Sequence, residues 1–331
     1  MTLDSSSFKN SVEKAADALK ERIPAWKTPS FYLHFGTRYA IQGLFDDAPE
    51  TVPLAALSDC LPERANLDGD SVVLQYGFCN GVAVLAATGT RHVAEGDGLH
   101  AALFPTALAS TLGIKNHIFL DTAVSLTTDI KTGKWGVLTD FVNGFAFSPL
   151  DGLQDFIADA FPNFFETFDQ IQNSEVLNAM ADFGDAPILC SYHGHPDFNL
   201  PTPGETDRIR NDGAKFLGHD LVLHLILSHA MGRRVSALVL AGAQALPGTA
   251  PRLNRNDMLE TSEFCSTQMR QGLRKALREM ENSANGYAEN ILPESDADEL
   301  IRLSIQKCAT RSSPLKTFLR RKTSDNSDET I

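Results

Sequence analysis

Cysteine is scarce and scattered in this chain. Cys60, Cys79, Cys190, Cys265 and Cys308 are odd in number and form no CxxC pair, which argues against a disulfide framework or a zinc ribbon and leaves buried free thiols. Positive charge is short as well: 29 lysines and arginines stand against 42 acidic residues, for a net charge of -13. Phosphate-rich surfaces would meet a repulsive mean field, so nucleic acid and anionic membranes are not expected partners, and a small molecule or a protein is. Long hydrophobic runs are missing. The apolar stretches at 221–227 and 237–243 fall short of the roughly 20 residues a bilayer span needs, and the N-terminal segment carries no signal-like apolar core. The expected address is the cytosol.

What is present is enough apolar material, 43% of 331 residues, to bury one substantial core. Residues 13–22 have helical spacing, and Pro24 and Pro29 separate them from SFYLHFG, which reads as a first strand ending at Gly36. In VVLQYGFCNGVAVLAATG, Asn80-Gly81 lies between two β-rich runs. Both turn positions favour positive φ, so the pair predicts a hairpin whose second strand ends near Gly89. Then follow a helix over 99–112, the strand HIFLD, a strand around WGVLTDFV, the strand PILCS at 187–191, a helix near 205–217, apolar segments either side of Met231-Gly232, and a long amphipathic helix near 256–281. Strands alternating with helices, with a hairpin among them, predict an α/β domain whose mixed sheet is covered on both faces. The composition turns polar and acidic from about Asn282, with one more helix expected at 296–309. The resulting division is a main domain over 1–283, a helical extension over 284–310 and a disordered tail over 311–331.

The stretch LQYGFCNGVAVLAATGTRHVAEGDGLHAALFPTALASTLGIKN resembles the trimeric, low-molecular-mass purine nucleoside phosphorylase family, which includes methylthioadenosine phosphorylase. The likeness continues in IFLDTAVSLTTDIKTGKWGVLTDFVN, FSPLDG, AFPNFFETFD and GAKFLGHD with the following MGRRV turn, covering about residues 8–283. It implies a phosphorylase-type three-layer α/β sandwich with a central mixed, partly barrel-like sheet. The implied reaction is phosphorolysis of a purine nucleoside's N-glycosidic bond, with phosphate as co-substrate and no further cofactor or metal. It also implies a homotrimer. Such chemistry passes through an oxocarbenium-like transition state. The site must therefore hold the acceptor beneath the sugar and stabilise charge on the departing base.

Residue by residue, the resemblance places His92 at the family's phosphate histidine and Glu95 at the glutamate three positions on. Gly36 and Thr37 fall in the glycine-serine loop after the first strand. The family's phosphate arginine falls on Thr90, with Arg91 beside it, and Ala94 stands where the family has tyrosine. Thr122 and Ala123 lie in the segment Asp121-Thr122-Ala123-Val124-Ser125, which replaces an Asn-Ala-Ala-Gly-Gly pattern. Phe198 corresponds to the aromatic stacked on the purine, and Asn199 replaces the glutamate that reads the base. Gln244 substitutes for the base-polarising asparagine, which falls near Gly242, and Arg255 takes a ribose-contacting position. His219 and Asp220 replace methionine and serine, so an ionised Asp220 would repel phosphate unless protonated or paired with Arg91 or His92. Hydrolysis, with Asp220 or His92 as general base, and a noncatalytic nucleoside-binding or partner-binding scaffold remain the alternative readings. His193, His195, Asp197, His219 and Asp220 are ligand types on two loops, but their spacing is not that of a metal motif. His224 and His229 read as structural histidines on an apolar helix.

Overall fold

Alternation along β1 (Phe31–Phe35) sorts its side chains onto two different layers of helices. Phe31, Leu33 and Phe35 face α3 (Gln170–Ala181) and α6 (Arg255–Glu289), packing with Val176, Met180, Met269 and Leu273. Tyr32 points the other way, among residues of α1 (Ser5–Arg22), α2 (Leu99–Thr111) and α5 (Leu221–Ala230). β5 (Asn116–Ser125) repeats the division, with Ile118 and Leu120 on the α3/α6 side and Phe119 on the α2/α5 side. Helix α2 is buried nearly all round, from Ala101 to Ser110, because α1 and α5 pack against it.

The computed structural model describes residues 5–289 except Ala25, Thr37, Cys60, Leu67, Gly152, 154–156, 158–160, 197–200 and 249–253. Met1–Glu281 forms one compact unit and Asn282–Ile331 another. The helix expected at 296–309 and the tail over 311–331 lie outside the described residues.

The remaining strands are β2 (Glu50–Pro53), β3 (Val73–Cys79), β4 (Val82–Thr88), β6 (Trp135–Asn143), β7 (Ile188–Gly194), β8 (Phe216–Gly218) and β9 (Arg234–Gln244), with α4 (Pro203–Asn211) before β8. Their order is β2-β3-β4-β1-β5-β8-β7-β6-β9, and β9 also pairs with β5. That extra pairing closes β5, β8, β7, β6 and β9 into a barrel from which the other strands extend. β1 runs parallel to β4 and β5, whereas β3–β4, β5–β8 and β6–β9 are antiparallel, so the sheet is mixed. This is the three-layer, partly barrel-like architecture expected.

The hairpin forms at Asn80-Gly81, both in the left-handed region at φ 49° and 77°. Gly89 closes β4 at φ 64°, and a methyl group there would collide with the backbone carbonyl of Ser71. Gly89→Ala is expected to cost at least about 2 kcal/mol, read as a lower urea midpoint; an unchanged midpoint would show that the turn yields without strain.

Two expectations need correction. The helix placed near 205–217 ends at Asn211, because Gly213 takes φ 89°, and Phe216–Gly218 becomes a strand buried between β5 and β7. The strand read as HIFLD extends to Ser125. β2 and α3 were not legible. β2 is an edge strand with exposed Glu50, Thr51 and Pro53, so it lacks the alternation that signals a half-buried strand. α3 starts where Asp169 accepts the backbone N–H of Gln172 at 2.8 Å, a cap lying beyond the FFETF aromatics that obscure it.

Candidate functional site

His92 follows β4 and begins a short 3₁₀ turn, Val93–Glu95, that Gly96 ends at φ 86°. Asp220 follows β8 and begins α5. These two turns meet beside Gly36, at the end of β1. The Val93 N–H donates to Asp220 Oδ2 at 2.6 Å, and His92 Nδ1 lies 3.4 Å from the same oxygen. The cleft thus lies outside the carboxyl ends of β1 and β4, where ligand sites of α/β sheets recur.

Asp220 is buried, and the His92 side chain is nearly so. Burial opposes charge on His92, but the adjoining Asp220 carboxylate outweighs it and raises the imidazole above its ordinary value. Burial likewise opposes charge on Asp220, yet His92 and the Val93 N–H hold it below the usual carboxylate range. Each group thus favours the charged form of the other. The His219 ring stands edge-on to His92 at 6.1 Å, and its own pKa is lowered, by burial first and by His92 second.

Behind this pair lies a row of polar side chains set by strand and helix periodicity. Tyr32 and His34 share one face of β1, His117 shares that side of β5, and His224 and Ser228 are one turn apart on α5. Tyr32 Oη is 2.9 Å from His34 Nδ1, Thr106 Oγ1 is 2.8 Å from His224 Nδ1, and Ser228 Oγ is 2.8 Å from His117 Nδ1. The rings of His34 and His224 are 4.2 Å apart. Burial holds all three imidazoles neutral: His34 falls well below its ordinary value, His224 to about 4 and His117 to about 3.

The other expected site residues are placed as follows. Arg91 is buried and donates to Asp97 at 2.8 Å, to Glu95 at 3.5 Å and to the carbonyls of Pro62 and Arg64. Glu95 also accepts the His92 N–H at 2.9 Å, so its carboxylate braces the turn. Gly36 sits against Asp121, where a Cβ would crowd that carboxylate and the Leu120 carbonyl, and its N–H donates to the Leu120 carbonyl. The Thr122 hydroxyl bonds Tyr39 Oη at 2.7 Å, and Ala123 lies in the core. Gln244 donates to the carbonyls of Thr127 and Ile130 at the end of β9. Arg255 forms a two-point bond with Asp68 at 2.7 and 2.8 Å, and its pKa is raised, chiefly by that bond. Thr37, Phe198 and Asn199 lie outside the described residues. The structure therefore brings His92, His219, Asp220 and Gly36 together. It shows Arg91, Glu95, Gln244 and Arg255 engaged with protein partners.

Sequence reasoning missed Asp68, His34 and Tyr192, whose hydroxyl donates to Asp121 at 2.8 Å. Asp68 is 187 residues from Arg255, and no local pattern announces such a pair. Among the described residues no group of three or more His, Cys, Asp or Glu side chains is arranged to hold a metal ion, and no helix is long and apolar enough to cross a membrane.

No protein-family model matches the chain. Purine nucleoside phosphorylase 1 of Bacillus subtilis is 25% identical over 260 residues, spanning 77% of this chain and 93% of that protein. The purine nucleoside phosphorylase of Bos taurus is 23% identical over 218 residues, 63% of this chain and 75% of its own. Among solved structures, Schistosoma mansoni purine nucleoside phosphorylase in complex with inosine superposes with a TM-score of 0.72 at 19% identity, covering 81% of this chain and 95% of that one. The same enzyme in complex with adenosine gives 0.70. The fold is shared, and the sequence is divergent.

Proposed function

We propose that this chain, a divergent relative of the purine nucleoside phosphorylases, binds a purine nucleoside and cleaves its N-glycosidic bond. One observation carries the reading: the buried His92–Asp220 pair, 3.4 Å apart, at the strand-end cleft of a fold shared with nucleoside-binding structures. An oxocarbenium-like sugar placed over Asp220 gains from the fixed carboxylate, which is oriented before the substrate arrives and needs no reorganisation. His92 holds that carboxylate ionised and in place. The ribosyl group passes to an acceptor beneath the sugar; the names of the relatives favour phosphate.

The direct test is purine release from inosine, guanosine and adenosine, followed chromatographically with and without phosphate. Release of base from at least one nucleoside is expected. A chain that binds nucleoside but releases no base under either condition is a scaffold, and the proposal is then lost.

A homotrimer belongs to the same reading. Phe161 and Phe165 are 89% and 101% exposed, four positions apart in a run of aromatics that a lone surface loop has no reason to carry. Light scattering at micromolar concentration is expected to give three copies of the 36.1 kDa chain. Phe161→Ser/Phe165→Ser should shift it toward the monomer; a wild-type monomer would refute the assembly.

A further inference from the structure

The cavity at the foot of the cleft is walled by His34, His92, Asp121, Asp220 and His224, with Gly36 and Thr90 at its rim, and its volume is about 10 Å³. That is room for one water, which also needs two to four polar partners, and it is too small for a phosphate. Among the described residues, the groups that would grip an anion are committed. The Val93 N–H and His92 serve Asp220, the Thr90 hydroxyl donates to the Phe35 carbonyl at 3.0 Å, and Arg91 is tied to Glu95, Asp97 and two carbonyls. The Asp220 carboxylate thus occupies an anion's place with an anion's bonds. His34 and His224 spend Nδ1 on Tyr32 and Thr106, which leaves Nε2 as the remaining polar atom of each ring in the cavity wall.

We infer that the acceptor is water, held in this cavity by Asp220 with His34 and His224 as positioning residues, and that Asp220 itself excludes phosphate. The inference rests on the nucleoside-cleaving reading above. In the step, a water lone pair forms the C1′–O bond while the C1′–N bond breaks and its electron pair leaves with the purine. One water proton passes to the Asp220 carboxylate and from there to solvent, and the purine takes a proton from solvent. The products are free ribose and the purine base, with no redox change. Phosphate in the same place would bring a second anion against Asp220, and His92, already engaged with that carboxylate, cannot neutralise both in a site with little water to screen them.

The test uses the full chain with inosine across a phosphate titration, the sugar product being identified by mass spectrometry. The wild type is expected to release base at a rate independent of phosphate and to form ribose. Asp220→Ser should lower hydrolysis about 100-fold, the typical contribution of a placed general base. By freeing the Val93 N–H and His92, the same change should also make the residual release phosphate-dependent, with ribose 1-phosphate as product. His34→Phe and His224→Phe are expected to lower kcat about 10-fold with KM for the nucleoside unchanged, since a misplaced water affects only the chemical step. Ribose 1-phosphate from the wild type overturns the inference and leaves the nucleoside-cleaving reading intact. Absence of base release in every arm overturns both. Unchanged kcat in both histidine variants removes their positioning role even if ribose is the product.

Discussion

Lowering the pH from 7 to 5 is expected to cost the folded protein about 4 kcal/mol through His117 and His224 alone. Both are fully buried, and burial sets their pKa values at about 3 and about 4 against an ordinary 6.5. The unfolded chain therefore binds protons that the native state refuses. The sign is fixed: stability is full above 6.5 and falls as the pH drops toward the folded values, at about 1.4 kcal/mol per unit per group. At pH 5 each has lost about 2 kcal/mol. His34, held well below its ordinary value by burial and by its neighbouring histidines, adds to the loss. His92 runs the other way. Its raised pKa contributes stability that is complete below 6.5 and lost as the pH rises through its folded value, so acid does not weaken it. The lowered Asp46, Asp68, Asp169 and Asp220 act only below the ordinary aspartate range, outside this window. Urea denaturation at pH 7, 6 and 5 measures the effect, and His224→Gln should recover about 2 kcal/mol of the loss at pH 5. Equal stability at pH 7 and pH 5 would mean that these rings are hydrated or already protonated in the fold.

His92→Leu is expected to cost about 3–5 kcal/mol at pH 7, because it leaves the Asp220 carboxylate buried against the Val93 N–H with its imidazole partner gone. Asp220→Leu should cost less. The imidazole left behind can shed its proton, whereas the carboxylate can become neutral only by binding one far above its ordinary pKa. The double variant His92→Leu/Asp220→Leu removes both partners and should regain most of the loss. Chemical denaturation of the four proteins forms the cycle, and a double variant as unstable as the sum of the singles would show that the pair is not coupled.

Local rules carried much of the fold. The Asn80-Gly81 turn, the strand at Phe31–Phe35 and the helix from Leu99 depend on neighbours a few residues apart, and those neighbours are visible in one dimension. The resemblance around His92 and GHD likewise pointed to two turns whose side chains now lie 3.4 Å apart. Other features depend on pairings across the chain. β8 is a strand because β5 and β7 offer it backbone partners, and the barrel closes because β9 returns to β5. Arg91 in sequence is a cation beside a glycine turn. In the fold, Glu95, Asp97 and two carbonyls engage both of its terminal nitrogens, and Asp68 holds Arg255 by two bonds from 187 residues away. In sequence His34 is one residue of the first strand, and His224 reads as a structural histidine on an apolar helix. Only the parity of β1 and the rotation of α5 set them on the same cavity, 4.2 Å apart. The sequence by itself determined which segments become strands and turns, since backbone preference and side-chain alternation are local. Which charges meet, and how little space they leave for an acceptor, was decided by tertiary structure, since both follow from distances between elements remote in the chain.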